Sequence, residues 1–170
     1  FSGFVRLPSN ASACESALAL VEGRSKFVML SGPSGWGKTH LLRNISTCLA
    51  AQADQPVPIE CCPTWIEKPT GADSPRPLLL EHAQVVGTST RVRQRLRQII
   101  ERRMRGGKPT VLTISHECMG RLFPLLLPGG SHWKAANLRT PAPAEKIVMV
   151  HQLSHGSGLL LPPPLVSFVA

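Results

Sequence analysis

The sequence predicts an α/β fold in which a parallel sheet is flanked by helices, and three observations predict it. Apolar runs of strand length alternate with stretches of helical periodicity, and no hairpin signal joins one run to the next. Strands linked through helices run parallel, because the crossover returns the chain to the same end of the sheet. The third observation is a loop, Gly32-Pro33-Ser34-Gly35-Trp36-Gly37-Lys38-Thr39, set between an apolar run and a helical pattern. Its spacing is G-x-x-x-x-G-K-[ST], that of the phosphate-binding P-loop.

The elements follow in order. Phe4-Val5 and Pro8-Ser9-Asn10 precede a helical pattern through Ala13, Ala17, Leu18 and Val21; Ser9 or Asn10 can cap that helix, and Gly23 marks its end. Lys26 to Leu30 reads as a buried strand feeding the loop. The next helix carries Leu41, Leu42, Ile45, Cys48 and Leu49 on one face and fades at Ala51-Gln52. Val57 to Cys62 is a short second strand, which Pro56 and Pro58 place near a sheet edge. Residues 63–77 are rich in Pro and Gly, an irregular connection with room for little more than one helical turn. Leu78-Leu79-Leu80-Glu81 is a buried strand ending in an acid.

Thr88 to Arg105 is an amphipathic helix with Val92, Leu96, Ile99, Ile100 and Met104 inward, closed by Gly106-Gly107. Thr110 to Ser115 is the next strand. Leu122 to Gly130 is apolar but broken by Pro and Gly, and no form is assigned to it. Ala135 to Leu138 is a last short strand, a helix covers Ala144 to Leu153, and Pro162-Pro163-Pro164 sets up another start. No internal repeat is visible.

With 170 residues, 42% of them hydrophobic, the chain can bury a sizeable core in one domain. No apolar stretch approaches the ~20 residues that span a bilayer, so no membrane partner is expected. The sequence opens at Phe1 without a basic stretch ahead of an apolar one, so it reads as lacking a secretory signal and as a piece of a longer protein. The five cysteines (Cys14, Cys48, Cys61, Cys62 and Cys118) contain no C-x-x-C pair. They are expected as reduced, mostly buried thiols of a cytoplasmic protein, with a zinc site on His116 and Cys118 as the alternative.

Nineteen Lys and Arg against ten Asp and Glu give a formal charge of +9, which favours polyanionic partners such as nucleic acid. The charge is concentrated. Arg91, Arg93, Arg95, Arg97, Arg102, Arg103, Arg105 and Lys108 put eight cations into eighteen residues, against Glu101 alone. Arg91, Arg95 and Arg102 can form one exposed ridge for DNA phosphates, in a salt-dependent and sequence-independent way. A merely solvated basic face is the alternative. No aromatic residue interleaves them, so base stacking is not expected there.

The loop's spelling carries its own chemistry. Glycines let the backbone wrap so that amides point at phosphate oxygens, and the helix that follows adds its positive end. Lys38 is placed to reach the β- and γ-phosphates, and the Thr39 hydroxyl to take a Mg²⁺ position. Gly32 through Thr39, with His40 next to them, are therefore the candidate binding residues for a nucleoside triphosphate.

These pieces together resemble the AAA+ domain of the bacterial replication initiator DnaA and its shorter homologue Hda. The resemblance rests on Phe4-Val5 and Pro8-Ser9-Asn10, then Gly35-Trp36-Gly37-Lys38-Thr39-His40-Leu41-Leu42 against G-x-G-K-T-H-L-L. It continues through Leu78-Leu79-Leu80-Glu81-His82-Ala83-Gln84 against L-L-I-D-D-I-Q, and Val111-Leu112-Thr113 against V-L-T. It implies a P-loop AAA+ domain over residues 1–139 and the beginning of a helical lid over 140–170, with ATP or ADP and Mg²⁺ held between them. It implies that Phe4 to Asn10 border the adenine, and that Arg91 matches a basic position near a DNA-facing surface. Replication proteins, or other copies of the chain, are the implied partners in chromosome replication.

The departures from the family pattern matter too. Its two acidic positions, one near Mg²⁺ and one orienting the attacking water, are here Glu81 and His82. Glu81 still serves a metal; His82 is no carboxylate and is a weaker base there, so hydrolysis is expected to be slow or absent. The arginine finger is expected in Leu125 to Gly130, which holds no arginine, and Arg121 is the nearest candidate. The sequence given stops before the position of the family's lid arginine, which is expected to be either truncated or missing. Ser115, or else Thr113, takes the sensor position near the γ-phosphate. Residues 63–77 are too short for the insertion with which initiators grip single-stranded DNA, a likeness to Hda. The expected function is a nucleotide switch in replication control. The alternatives are a DNA-dependent ATPase of the helicase-loader (DnaC/IstB) type and a pseudo-ATPase scaffold.

Overall fold

A computed structural model of the chain describes residues 4–84, 89–126, 132–159 and 161–162. The apolar run before the loop forms β1 (Phe27–Gly32), buried along its whole length. Such a strand needs neighbours on both edges and helices on both faces. β4 (Thr110–Ser115) takes one edge and β5 (Lys134–Asn137) the other, both parallel to β1. β3 (Leu78–Glu81) pairs with β4, and β2 (Ile59–Cys61) with β3, again parallel. The sheet order is β2-β3-β4-β1-β5, and β2 lies at the edge, where its flanking prolines put it.

Successive residues of each strand feed opposite faces. Val28, Leu30, Leu79 and Val111 meet Leu41, Leu42 and Ile45 of α2 (Lys38–Ala53) and Ala13, Ala17 and Leu20 of α1 (Ala11–Val21). Phe27, Met29, Leu80, Leu112 and Ile114 meet Leu96, Ile99 and Ile100 of α4 (Thr90–Arg105). Trp65 of the single-turn α3 (Cys62–Trp65) and Met119 of α5 (His116–Leu126) complete that second layer. The last helix described is α6 (Pro143–Gly156).

Local detail departs from the sequence reading in several places. Cys62 begins α3 instead of ending a strand. α4 starts at Thr90, two residues after Thr88, because the Ser89 hydroxyl accepts from the Val92 amide and sets the boundary. α5 has no counterpart in the sequence reading; it springs directly from β4 and takes in Pro124, while residues 127–130 lie outside those described. Asn10 holds the N-cap position of α1, yet its side chain serves the segment before it. Its oxygen accepts from the Leu7 amide (2.9 Å), and its Nδ2 donates to the Val5 carbonyl (2.9 Å). Of the cysteines, only Cys14 and Cys62 are buried and Cys61 is exposed; burial pushes the Cys62 thiol up to about 12.

Candidate functional site

From β1 the chain crosses to β2 on one side, and only later returns to β5 on the other. In open parallel sheets, the crevice beyond the carboxyl ends of the strands at such a reversal is where ligands bind. The loop Pro33–Gly37 opens from the end of β1 into this crevice and closes on α2. Glycine is needed at both ends of this loop. A Cβ on Gly32 would lie 2.6 Å from the Leu138 carbonyl oxygen, and Gly37, at φ +86°, faces the Phe4 ring, whose Cε2 such a Cβ would meet at 3.3 Å.

Lys38 is the first residue of α2, and its ammonium donates to the carbonyls of Gly32 (2.8 Å) and Pro33 (2.6 Å). Burial lowers its pKa, while the charges of Glu117 and Glu81 act in the opposite sense. The Thr39 hydroxyl hydrogen-bonds the Glu81 carboxylate at the end of β3. Two hard oxygen donors, forty-two residues apart in the chain, are thus brought together beside the loop, which is a donor set that suits Mg²⁺. The residues fit the metal, and these two would hold it.

His82 follows with a left-handed backbone (φ +59°), its amide donating to the buried Thr113 hydroxyl at 3.3 Å. Its ring stands over the cleft with Nε2 4.0 Å from the Glu81 carboxylate. Thr113 is therefore committed to holding the backbone of His82, whereas Ser115 pairs with Gly32 at the root of the loop. Between the two sensor candidates, this geometry separates a buried anchor from a residue at the crevice.

The loop is a partition. On one side is a polar cleft of about 590 Å³ lined by Ser34, Lys38, Thr39, His40, Arg43 and His82. On the other is an apolar pocket of about 190 Å³ formed by Phe4, Trp36, Met149 and Leu153, with Gly35, Gly37 and His40 shared between the two. Phe4 meets His40 edge to face, with centroids 5.3 Å apart. A polyanion suits the first space and a flat apolar group the second. Met149 and Leu153 were not foreseen as pocket residues. They come from α6, which the sequence gives as a helix and the resemblance as the beginning of a lid, without singling out either residue.

α6 is tied to the upstream segment through Glu145, whose carboxylate accepts from the amides of Ser9 and Ala142, each at 2.7 Å. These two hydrogen bonds, that of Ala142 first, hold its carboxyl below the usual range. Ser9 also lines the apolar pocket.

The basic helix needs one correction. Arg91, Arg95 and Arg102 are exposed on α4, as the ridge requires. Arg103, counted with them in sequence, is only 1% exposed and points into the protein. Its guanidinium donates to Thr110 Oγ1 (2.9 Å) and to the carbonyls of Ala72, Ser74, Arg76 and Pro109 (2.7–3.0 Å). Burial pushes its pKa down to about 10. On the surface, Arg95, Arg102 and Arg105 with Gln98 and Pro69 line a groove of about 360 Å³. Arg121 is exposed on α5; residues 127–130 of the expected arginine-finger segment lie outside those described.

No protein-family model matches the sequence, and no curated protein matches it. Solved structures do. The chain is similar to domain III of the Thermotoga maritima replication initiation protein DnaA, with a TM-score of 0.70 and 19% identity, over 98% of this chain and 77% of that one. It is similar to AMPPCP-bound DnaA from Aquifex aeolicus with a TM-score of 0.80 and 16% identity, over 98% of this chain. A replication initiator DnaA bound to AMPPCP and single-stranded DNA gives 0.79 and 16%, again over 98%. The chain spans 57% of the length of each of the last two. At these identities the likeness is one of fold: a five-stranded parallel sheet flanked by helices, the α/β class expected from the sequence.

Proposed function

We propose that this chain binds ATP or ADP with Mg²⁺ and acts as a nucleotide switch in DNA replication or its regulation, with little turnover of its own. The observation that carries the reading is the convergence of Lys38, Thr39 and Glu81 on one cleft beside an apolar pocket. In this reading the triphosphate lies along the loop amides, Lys38 turns from its carbonyl partners to the β- and γ-phosphates, and Thr39 and Glu81 hold Mg²⁺. Bound Mg²⁺ supplies charge neutralisation on the phosphates. The adenine takes the pocket of Phe4, Trp36 and Met149. α6 then serves as the first helix of a lid, so that nucleotide occupancy is felt at the junction of residues 1–139 with 140–170.

In this reading His82 takes the position of the carboxylate that would orient water, and an imidazole does that less well. Hence the expectation of a switch and not a fast ATPase. The ridge of Arg91, Arg95 and Arg102 is the proposed DNA contact, with replication proteins or further copies of the chain as other partners, in the cytoplasm. Support for the setting comes from fold neighbours that include a DnaA bound to AMPPCP and single-stranded DNA.

Isothermal titration with ADP and with ATP-Mg²⁺ tests the core of this. Binding is expected for both, and Lys38→Ala should weaken ATP binding by at least about tenfold, since a charge-assisted phosphate contact contributes roughly 1.5–3 kcal/mol. Absence of binding by the unaltered protein, or an indifferent Lys38→Ala, overturns it.

A further inference from the structure

The polar cleft continues past the phosphate loop along the outer face of α2. Leu41, Leu42 and Ile45 turn inward to the sheet, which leaves His40, Arg43 and Thr47 exposed together on the opposite side. All three line the cleft with Lys38, Thr39 and His82. Arg43 stands one turn after Thr39, about 6 Å further along the helix axis. A helical side chain leans toward the N-terminus of its helix and covers the turn before it, so the Arg43 side chain is aimed back over Thr39. Its polar neighbours are already engaged: the Thr47 hydroxyl donates to the Arg43 carbonyl (3.0 Å), and the Asn44 side-chain amide to the His40 carbonyl (2.9 Å). Arg97 and Arg102 of α4 each face a carboxylate, whereas Arg43 has no ion pair among the described residues. The cleft therefore holds a second cation besides Lys38, long, exposed and without a counter-ion.

We propose that Arg43 is a specificity residue of this site: its guanidinium takes the terminal phosphate, so that the cleft binds a nucleoside triphosphate in preference to a diphosphate. This rests on the nucleotide reading given above. In that reading Thr39 and Glu81 hold the metal between the β- and γ-phosphates, and His82 stands at the γ end. Arg43 shares a helix face with Thr39 and a cleft with His82, which puts it at that same end. Lys38 serves both nucleotides, because the β-phosphate is present in each. The γ-phosphate brings further charge, spread over three oxygens, that one ammonium and one Mg²⁺ shared with the β-phosphate leave partly unmet. A guanidinium fork engages two such oxygens at once, which an ammonium does not. The chain thus carries its own means of telling ATP from ADP. It lies one turn beyond the last residue of the loop motif, where no motif spacing marks it.

The experiment uses the chain as it is and reads the ratio of two affinities by isothermal titration with Mg²⁺: that for AMPPCP, a triphosphate analogue, and that for ADP. The unaltered protein should prefer the triphosphate. Arg43→Ala should weaken AMPPCP binding by about tenfold, as the loss of one charge-assisted contact does, and leave ADP within about twofold. Arg43→Lys, which keeps the charge without the fork, should fall between. Lys38→Ala should weaken both nucleotides and so separates a general phosphate contact from a selective one. Equal thermal midpoints without nucleotide show that the Arg43 variants fold. A ratio unchanged in Arg43→Ala, whether both affinities fall or neither does, overturns the proposal, and so does an unaltered protein that prefers ADP. An unaltered protein that binds neither overturns the nucleotide reading itself.

Discussion

Two residues show how far environment outranks identity. Arg103 belongs by composition to a basic surface, yet it satisfies four backbone carbonyls and a hydroxyl in the interior. Arginine suits this place because its planar fork offers five N–H donors at once, which lysine cannot. Arg103→Met should cost at least about 3 kcal/mol, since each buried acceptor left unmet costs about 1–3 kcal/mol and residues 72–76 can turn only some of them to water. Arg103→Lys should recover little. Urea unfolding of both variants checks this, and an unperturbed midpoint would contradict it. His82 is the second case. Its left-handed backbone is one that Asp tolerates better than most residues. His82→Asp should therefore fold normally and raise single-turnover phosphate release by about tenfold or more, as a carboxylate returns to the strand end. No gain in rate would mean that the position has no part in the chemistry.

At the scale of elements, one acid ties α6 to the segment before α1. Glu145 accepts two backbone hydrogen bonds that exist only in the folded chain, so its folded pKa is lowered. A lowered carboxyl pKa contributes stability that is complete above the unfolded value of ~4.3 and disappears as pH falls through the folded one. The difference in urea midpoint between the unaltered protein and Glu145→Gln should then be constant above about pH 5 and shrink below ~4.3. A difference that grows in acid would reverse the assignment. α1 illustrates the same economy of local structure: Asn10 sits at its cap position but spends its side chain on Leu7 and Val5, which fixes the segment that walls the apolar pocket.

For the whole molecule, the formal charge of +9 is unevenly distributed, and three of its cations stand on one face of α4. If they meet phosphates, changing Arg91, Arg95 and Arg102 together to alanine should lower affinity for single-stranded DNA and flatten the salt dependence. The slope of log K against log salt should fall by about 2, at roughly 0.7 for each phosphate no longer neutralised. Fluorescence anisotropy across a salt series measures it. An unchanged slope would return the ridge to a solvated face. No helix among the described residues is long and apolar enough to cross a membrane.

How much of this was legible in the sequence follows from which interactions are local. The phosphate loop, the strand before it and the helix after it are contiguous, so spacing and periodicity placed them within a residue or two, and the same holds for Leu78–Glu81 and Thr110–Ser115. α5 was missed because Pro and Gly obscure its period. The sequence by itself determined the α/β class, the parallel sheet and a site that suits phosphate, because each is written in neighbouring residues. Only the tertiary structure decided that Thr39 meets Glu81, that Met149 of α6 shares a pocket with Phe4, and that Arg103 is inside while Arg102 is out. These are contacts between distant segments or choices between adjacent helix faces. Hydrophobic periodicity cannot foresee a buried guanidinium whose partners are backbone carbonyls, since every residue has one and none is marked in the sequence.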